Sequence, residues 1–123
     1  MNYLLLLYSE PSRAAGMTED EIQQARAKVM PQWLELFEYL GTHAKSVDGV
    51  ELDDPHTAKT LRYVDGRPIV TDGPYAETKE LIGGVFFIEC NNLDEAIDMA
   101  ARVPLASRGS VEIRPVVEQK VRA

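Results

Sequence analysis

The sequence predicts an α+β domain of the ferredoxin-like, split βαβ kind, built on an antiparallel sheet. Three observations carry that expectation. The elements read in the order strand, helix, strands, strand, helix, strand, which is the split βαβ order. The runs "YLLLLY" and "GVFFIEC" are apolar without alternation, and in that order they take the two central places of the sheet. The segment "TLRYVDGRPIVT" sets Asp65-Gly66 between two strand-like runs, a strong signal for a two-residue hairpin.

Each element has a local reason. Tyr3 to Tyr8 is a short continuous apolar run closed by Ser9, Glu10 and Pro11, a length that suits a buried strand. "PSRAAG" is read as a connecting loop. Thr18, with Glu21 three residues on, forms a capping box and starts a helix. Ile22, Ala25, Val29, Trp33, Leu36 and Leu40 recur at helical spacing, and Gly41 is the expected C-terminal stop. Pro31 removes a backbone donor and disfavours helical geometry at Met30, so a kink, or a break and restart, is expected there. Turn signals crowd the chain from Lys45 onward.

Asp72-Gly73 repeats the hairpin signal, but Pro74 follows. Proline has no N–H to close a two-residue turn, so Asp72 to Glu80 is expected to be a wider irregular loop. Val85 to Cys90 is the next strand, with Gly83-Gly84 opening it and allowing a bend or a close backbone approach. Asn92 caps a second helix, with Asp94 and Glu95 at the favourable end of its dipole. Leu93, Ala96, Ile97 and Ala100 are its expected buried face, and Pro104 ends it. In "SVEIRPVVE", Val111 and Ile113 point inward, and Pro115 marks an edge strand. The inward set is expected to be Leu5, Leu7, Ile22, Trp33, Phe37, Phe86, Ile88, Ile97 and Ile113. A single sheet with helices on one side should alternate in polarity. The two central runs do not, so a second copy of the chain is expected to cover the other face as a two-fold homodimer.

The whole chain sets bounds on function. Its 123 residues suit one domain, residues 1–123, with one core. Its formal net charge of −7 disfavours nucleic acid and anionic membrane surfaces as partners. Cys90 is the sole cysteine and sits in an apolar run, so it reads as a small buried hydrophobe and suits a reducing compartment. "MNYLLLLYSE" lacks a basic leader and a cleavage site, and is shorter than the ~20 residues a helix needs to cross a bilayer. A cytoplasmic protein is expected.

The segment "VTDGPYAETKELIGG", followed by "LDEAIDMAARVP" and "GSVEIRPV" and preceded by "PHTAKTLRYVDG", resembles the DGPF family of the YCII-related superfamily. The resemblance spans nearly the whole chain. It implies a dimeric α+β barrel, in which two ferredoxin-like sheets face one another. It also implies a link to sigma factors, beside which some members lie or to which they are fused. Some relatives carry a first-helix histidine and an aspartate near the second strand as a proposed acid–base dyad, and one group resembles dehydrochlorinases. This chain has Met30, Pro31, Gln32 and Trp33 in the corresponding helical region, so the dyad does not carry over.

The loop holds the chemistry-bearing residues. Asp72 is the candidate general base, with Glu77 and Glu80 as further carboxylates. Lys79 would neutralise an anionic substrate or intermediate, and Tyr75 would stack on a ligand. The structural alternative is that Asp72 satisfies its own loop while Glu77, Lys79 and Glu80 form solvated ion pairs. His56 has Asp53 and Asp54 close by; it is a third catalytic candidate or an ordinary loop histidine. His43 and His56 show no metal-ligand spacing, so no metal is expected. Trp33 and Phe37 share a helix face and read as core. Two functions are consistent with these residues. One is cofactor-independent proton transfer, isomerisation or elimination on a small organic compound in the dimer cavity. The other is a non-catalytic module that binds a ligand or protein and acts on transcription.

Overall fold

The computed structural model describes residues 1–9, 16–76, 78–104 and 109–118. It is an α+β fold with the split βαβ order. The elements are β1 (Asn2–Ser9), α1 (Glu19–His43), β2 (Ser46–Glu51), β3 (Lys59–Val64), β4 (Arg67–Asp72), β5 (Leu81–Glu89), α2 (Leu93–Ala101) and β6 (Ser110–Pro115), with a 3-10 turn at Pro55–Thr57. The main sheet has four strands in the order β2-β5-β1-β6, while β3 and β4 form a separate two-stranded sheet. The two unalternating runs are central and antiparallel, with Leu5 opposite Phe86 and Tyr3 opposite Ile88. On the other side β6 pairs with β1, placing Ile113 opposite Leu5.

Both helices cover one face of the sheet. Tyr3, Leu5, Leu7, Phe86 and Ile88 are buried there against Leu36, Leu40, Ala96, Met99, Ala100 and Val103. Each fully buried large side chain contributes ~1.5–3 kcal/mol. Leu4, Leu6, Ile82, Val85 and Phe87 alternate with these and take the opposite face, where Phe87 is exposed and the other four are half-buried. Cys90 is buried with its Sγ 3.3 Å from the Asn92 carbonyl. Burial pushes its thiol pKa up, so the group stays protonated.

The Thr18–Glu21 capping box forms as expected. Of the kink or break expected at Pro31, the break does not occur, since one helix runs through it, and the helix ends at His43, not at the expected Gly41. Pro31 lies on the exposed side, where water can take the carbonyl that it leaves unpaired, while Leu36 and Leu40 hold the next turns onto the sheet. Past Gly41 the helix continues, and the side chains of Thr42 (Oγ1) and His43 (Nδ1) meet the Glu38 and Tyr39 carbonyls one turn back.

The turn-rich reading after Lys45 also fails at "SVDGVE", which is the edge strand β2. Gly49 is there for space: a Cβ at that position would lie 2.6 Å from Cδ1 of Phe86. The hairpin Asp65-Gly66 forms with φ of 51° and 77°, the left-handed pair a two-residue turn of this type needs. It does not join the main sheet, because β2 already holds the edge beside β5. Strand β5 starts at Leu81, four residues before Val85. Gly83 falls where the β1–β5 register shifts between Leu7 and Tyr8, and Gly84 lies close under the Val50 carbonyl. In the expected buried faces, Phe37, Leu93 and Ile97 are instead 46%, 47% and 46% exposed. Tyr3, Met99 and Val103 take the buried places, because the short helix α2 turns Ala96, Met99 and Ala100 toward the sheet. The connecting loop from Pro11 to Ala15 lies outside the described residues.

Replacing Gly49 with alanine should destabilise the protein by about 1–3 kcal/mol, the cost of forcing a methyl into a filled site. Denaturant unfolding of the variant beside the native chain tests this, and an unchanged midpoint would refute the packing role of Phe86 under β2.

Candidate functional site

The loop from Gly73 to Glu80 runs from the base of the β3–β4 hairpin to the start of β5. Gly73, with φ of 96°, makes the turn away from β4. Its N–H donates to the Ala58 carbonyl at 2.8 Å, and its own carbonyl accepts from Thr60 Oγ1 at 2.8 Å. The far end is tied to the last strand, where Ser110 Oγ donates to Glu80 Oε2 at 2.9 Å. Thr78 Oγ1 donates to the Glu80 carbonyl. The loop is irregular and is not a second tight hairpin, as the missing N–H of Pro74 requires.

Asp72 closes β4, directly opposite Lys59. The Lys59 ammonium meets its Oδ1 at 2.5 Å, and both side chains are largely exposed, at 61% and 86%. The cation at Asp72 is therefore Lys59, a residue the sequence reading passed over. The signal was present: a two-residue turn at Asp65-Gly66 fixes the register, and the register sets residue 59 across from residue 72. Tyr75 is exposed, with the Arg62 guanidinium carbon 4.8 Å from its ring centre and Arg62 Nη2 donating to its carbonyl at 3.4 Å. Lys79 is exposed on the loop. Glu77 lies outside the described residues.

His56 sits in the 3-10 turn just before β3. Asp54 caps that turn, accepting from the His56 N–H at 3.1 Å and meeting its Nδ1 at 2.6 Å. The side-chain bond from His56, followed by the backbone bond, holds the Asp54 carboxyl below the usual carboxylate range. Thus Asp72 with Lys59, Tyr75 with Arg62, and His56 with Asp54 form three exposed pairs around the hairpin base. They do not converge within one enclosed pocket of the single chain. No cluster of three or more metal-ligating residues is present among the described residues.

The open face of the main sheet lies beside this loop. Leu4, Leu6, Val85 and Phe87 occupy its centre, paired across β1 and β5, with Val50 on β2 next to Val85. Polar groups stand along its margins. Tyr8 donates to Glu112 Oε1 at 3.1 Å, and Ser46 donates to Glu89 Oε1 at 3.3 Å. Burial, and then the bond to Glu112, raise the Tyr8 hydroxyl pKa. Away from the loop, an open groove of about 350 Å³ separates α1 from the end of α2, lined by Gln32, Glu35, Leu36, Tyr39, Arg102 and Pro104. There Tyr39 donates to Asp98 Oδ2 at 2.7 Å, and Arg102 stacks 3.8 Å over its ring.

The fold and site together define a small ferredoxin-like α+β protein with one helix-covered sheet face, one open apolar face and a polar loop at the sheet end. Residues 1–120 match the model of the YCII-related domain. The chain belongs to the YCII-related family. It is also similar to the uncharacterized protein R00369 of Rhizobium meliloti (strain 1021), with 36% identity over 126 residues that cover 98% of this chain and 95% of that protein. No helix among the described residues is long and apolar enough to cross a membrane.

The pairing of His56 with Asp54 gives a pH prediction with a definite sign. A carboxyl held low in the folded state adds stability above its unfolded pKa of ~3.9, and that contribution is lost as pH falls through the folded value. Replacing His56 with alanine should move the Asp54 carboxyl back up toward that ordinary value. A carbon-detected NMR titration of Asp54 in the two proteins reads the difference, and coincident curves would refute the pairing.

Proposed function

We propose that this YCII-related chain is a DGPF-type, cytoplasmic homodimer that binds a small organic compound between two facing sheets. The observation that carries the reading is the open apolar face of Leu4, Leu6, Val85 and Phe87. Phe87 is 38% exposed and Val50 61% exposed in the single chain. An uncovered sheet face of this kind marks an interaction surface, and a second copy covers it by the self-complementary geometry of a two-fold axis. Residues at the centre of the face would form the apolar lining of the cavity. The loop from Gly73 to Glu80, tied to Ser110 at the sheet end, would border its mouth, where ligand pockets collect a few polar groups.

In this reading Asp72 is the candidate base for a cofactor-independent proton transfer, isomerisation or elimination. Lys79 and His56 are the further catalytic candidates, and Tyr75, Glu77 and Glu80 contact the ligand. Lys59 joins them as the cation paired with Asp72. The second reading is a non-catalytic module linked to sigma-factor regulation. The exposure of Asp72 and Tyr75 supports it, because an exposed loop suits recognition by a partner better than proton transfer.

Light scattering at micromolar concentration should give twice the mass of the chain, and a monomer mass would remove the shared cavity. Leu6→Asp should lower solubility or unfold the protein, because a charge at the centre of the covered face has no partner. A thermal-shift screen of metabolites and aromatic acids separates the two functions. A compound that stabilises the native protein but not the Asp72→Asn variant supports the ligand site. Because the Lys59–Asp72 pair is exposed, that variant alone should change stability by less than about 1 kcal/mol.

A further inference from the structure

We propose that the second copy of this chain docks on the open sheet face about a two-fold axis that runs along the strands, between β1 and β5, so that Arg114 of each copy pairs with Asp48 of the other. This rests on the sheet-to-sheet dimer proposed above and deepens it by fixing which margins of the two sheets meet.

The cross-strand register arranges the open face in rows. Arg114 lies opposite Leu4, Leu4 opposite Phe87, and Phe87 opposite Asp48. From β6 to β2 this row therefore reads cation, apolar, apolar, anion. The next row is Glu112, Leu6, Val85 and Val50. Arg114 is the sole lysine or arginine in the four strands. Among the described residues its ionic partner is Glu112, with Nη1 3.5 Å from Oε2, and its side chain stays 65% exposed. Asp48 is exposed and accepts from the N–H of its neighbour Gly49 at 2.9 Å. Within one chain Arg114 and Asp48 stand on opposite margins, three strand spacings or about 14 Å apart, so they do not pair with each other.

Charge complementarity selects both the occupant and its orientation. A two-fold interface must be self-complementary, and this row is: its two ends carry opposite charges. A rotation about an axis along the strands keeps each row at its own height and exchanges the margins, laying β6 over β2 and β1 over β5. Arg114 then faces the partner's Asp48 and Leu4 faces the partner's Phe87, each contact occurring twice. Glu112 comes over Val50, but its oxygens already have partners in its own chain, Tyr8 at Oε1 and Arg114 at Oε2. The guanidinium has five N–H donors and can serve both carboxylates. Facing sheets cross at about 30°, and the flexible stem of Arg114 takes up the offset this leaves at the margins. An axis across the strands is the rival. It lays β6 on β6 and sets Arg114 against Glu112, but it brings Asp48 over Val50. That covers a carboxylate without giving it a cation, which is costly. Charge placement of this kind fixes register and rejects the wrong orientation.

The same axis builds the cavity mouth from both copies. Ser110 lies opposite Tyr8 and holds Glu80 of the candidate loop. At that height the β2 margin ends at Leu52, whose N–H donates to the Gly83 carbonyl at 2.9 Å. With β6 laid over β2, the loop of one copy and the end of β2 of the other border one opening.

Sedimentation equilibrium of charge-reversed proteins tests the pairing. R114D and D48R should each raise the dimer dissociation constant at least tenfold with the circular dichroism unchanged, because each homodimer then sets like charges together. An equimolar mixture of the two restores both pairs, but only in the heterodimer, where one chain supplies two anions and the other two cations. Its dissociation constant should return to within threefold of the native value. R114Q, D48N and their combination repeat the test without repulsion: the combination should weaken the dimer no more than either change alone, and additive losses would overturn the pairing. A native dimer that the reversals leave unchanged, or a mixture that dimerises no better than its components, overturns the pairing while the sheet-to-sheet dimer stands. Rescue of R114D by E112R in place of D48R overturns the orientation. A native monomer overturns both this inference and the dimer on which it rests.

Discussion

Strand β1 lies between β5 and β6, and every other element is placed relative to it. Its side chains must serve two environments at once. Tyr3, Leu5 and Leu7 point to the helices and are almost wholly buried. Leu4 and Leu6 point the other way, opposite Phe87 and Val85. A slip of one residue would exchange these sets, moving Tyr3 out of the core and Leu4 into it. Ile113 opposite Leu5 on β6 and Phe86 opposite it on β5 lock the register from both sides. The helices then settle on the only face that offers a complete apolar surface, with α1 toward β2 and α2 toward β6.

Two glycines adapt this frame. Gly49 lets the Phe86 ring lie beneath β2, so β2 can hold the sheet edge next to β5. The register shift by Gly83 turns the start of β5 toward the loop. Since β2 fills the edge, the hairpin is excluded from the main sheet and projects as a sheet of its own. The exposed position of the hairpin therefore follows from a small residue in a neighbouring strand.

The candidate loop inherits its position from the same frame. It leaves the hairpin at Asp72 and is tied at its far end to Ser110 on the outer strand. Two of its groups meet partners from the hairpin: Lys59 meets Asp72 and Arg62 covers Tyr75. Exposed pairs of this kind add little to stability. Their arrangement positions groups at the end of the sheet, beside the apolar face on which the functional reading depends.

Much of this was legible in the residues themselves, because it depends on local chemistry. The Thr18 capping box, the Asn92 cap, the Asp65-Gly66 turn and the obstruction at Pro74 each follow from a few adjacent atoms. The split βαβ order and the central places of "YLLLLY" and "GVFFIEC" follow from apolar pattern. The loop could be singled out from its composition, and the Lys59–Asp72 pair was implicit in the hairpin register. Tertiary structure alone decided the rest, because it depends on distant surfaces meeting. "SVDGVE" becomes a strand because Phe86 fills the space that a side chain would need at Gly49. Pro31 stays within one helix because the turns beyond it are held on the sheet. Leu93 and Ile97 remain exposed because α2 is short and presents Ala96 and Met99 to the core. Polarity periodicity marks which residues are able to be buried; only the approach of another element determines which of them are.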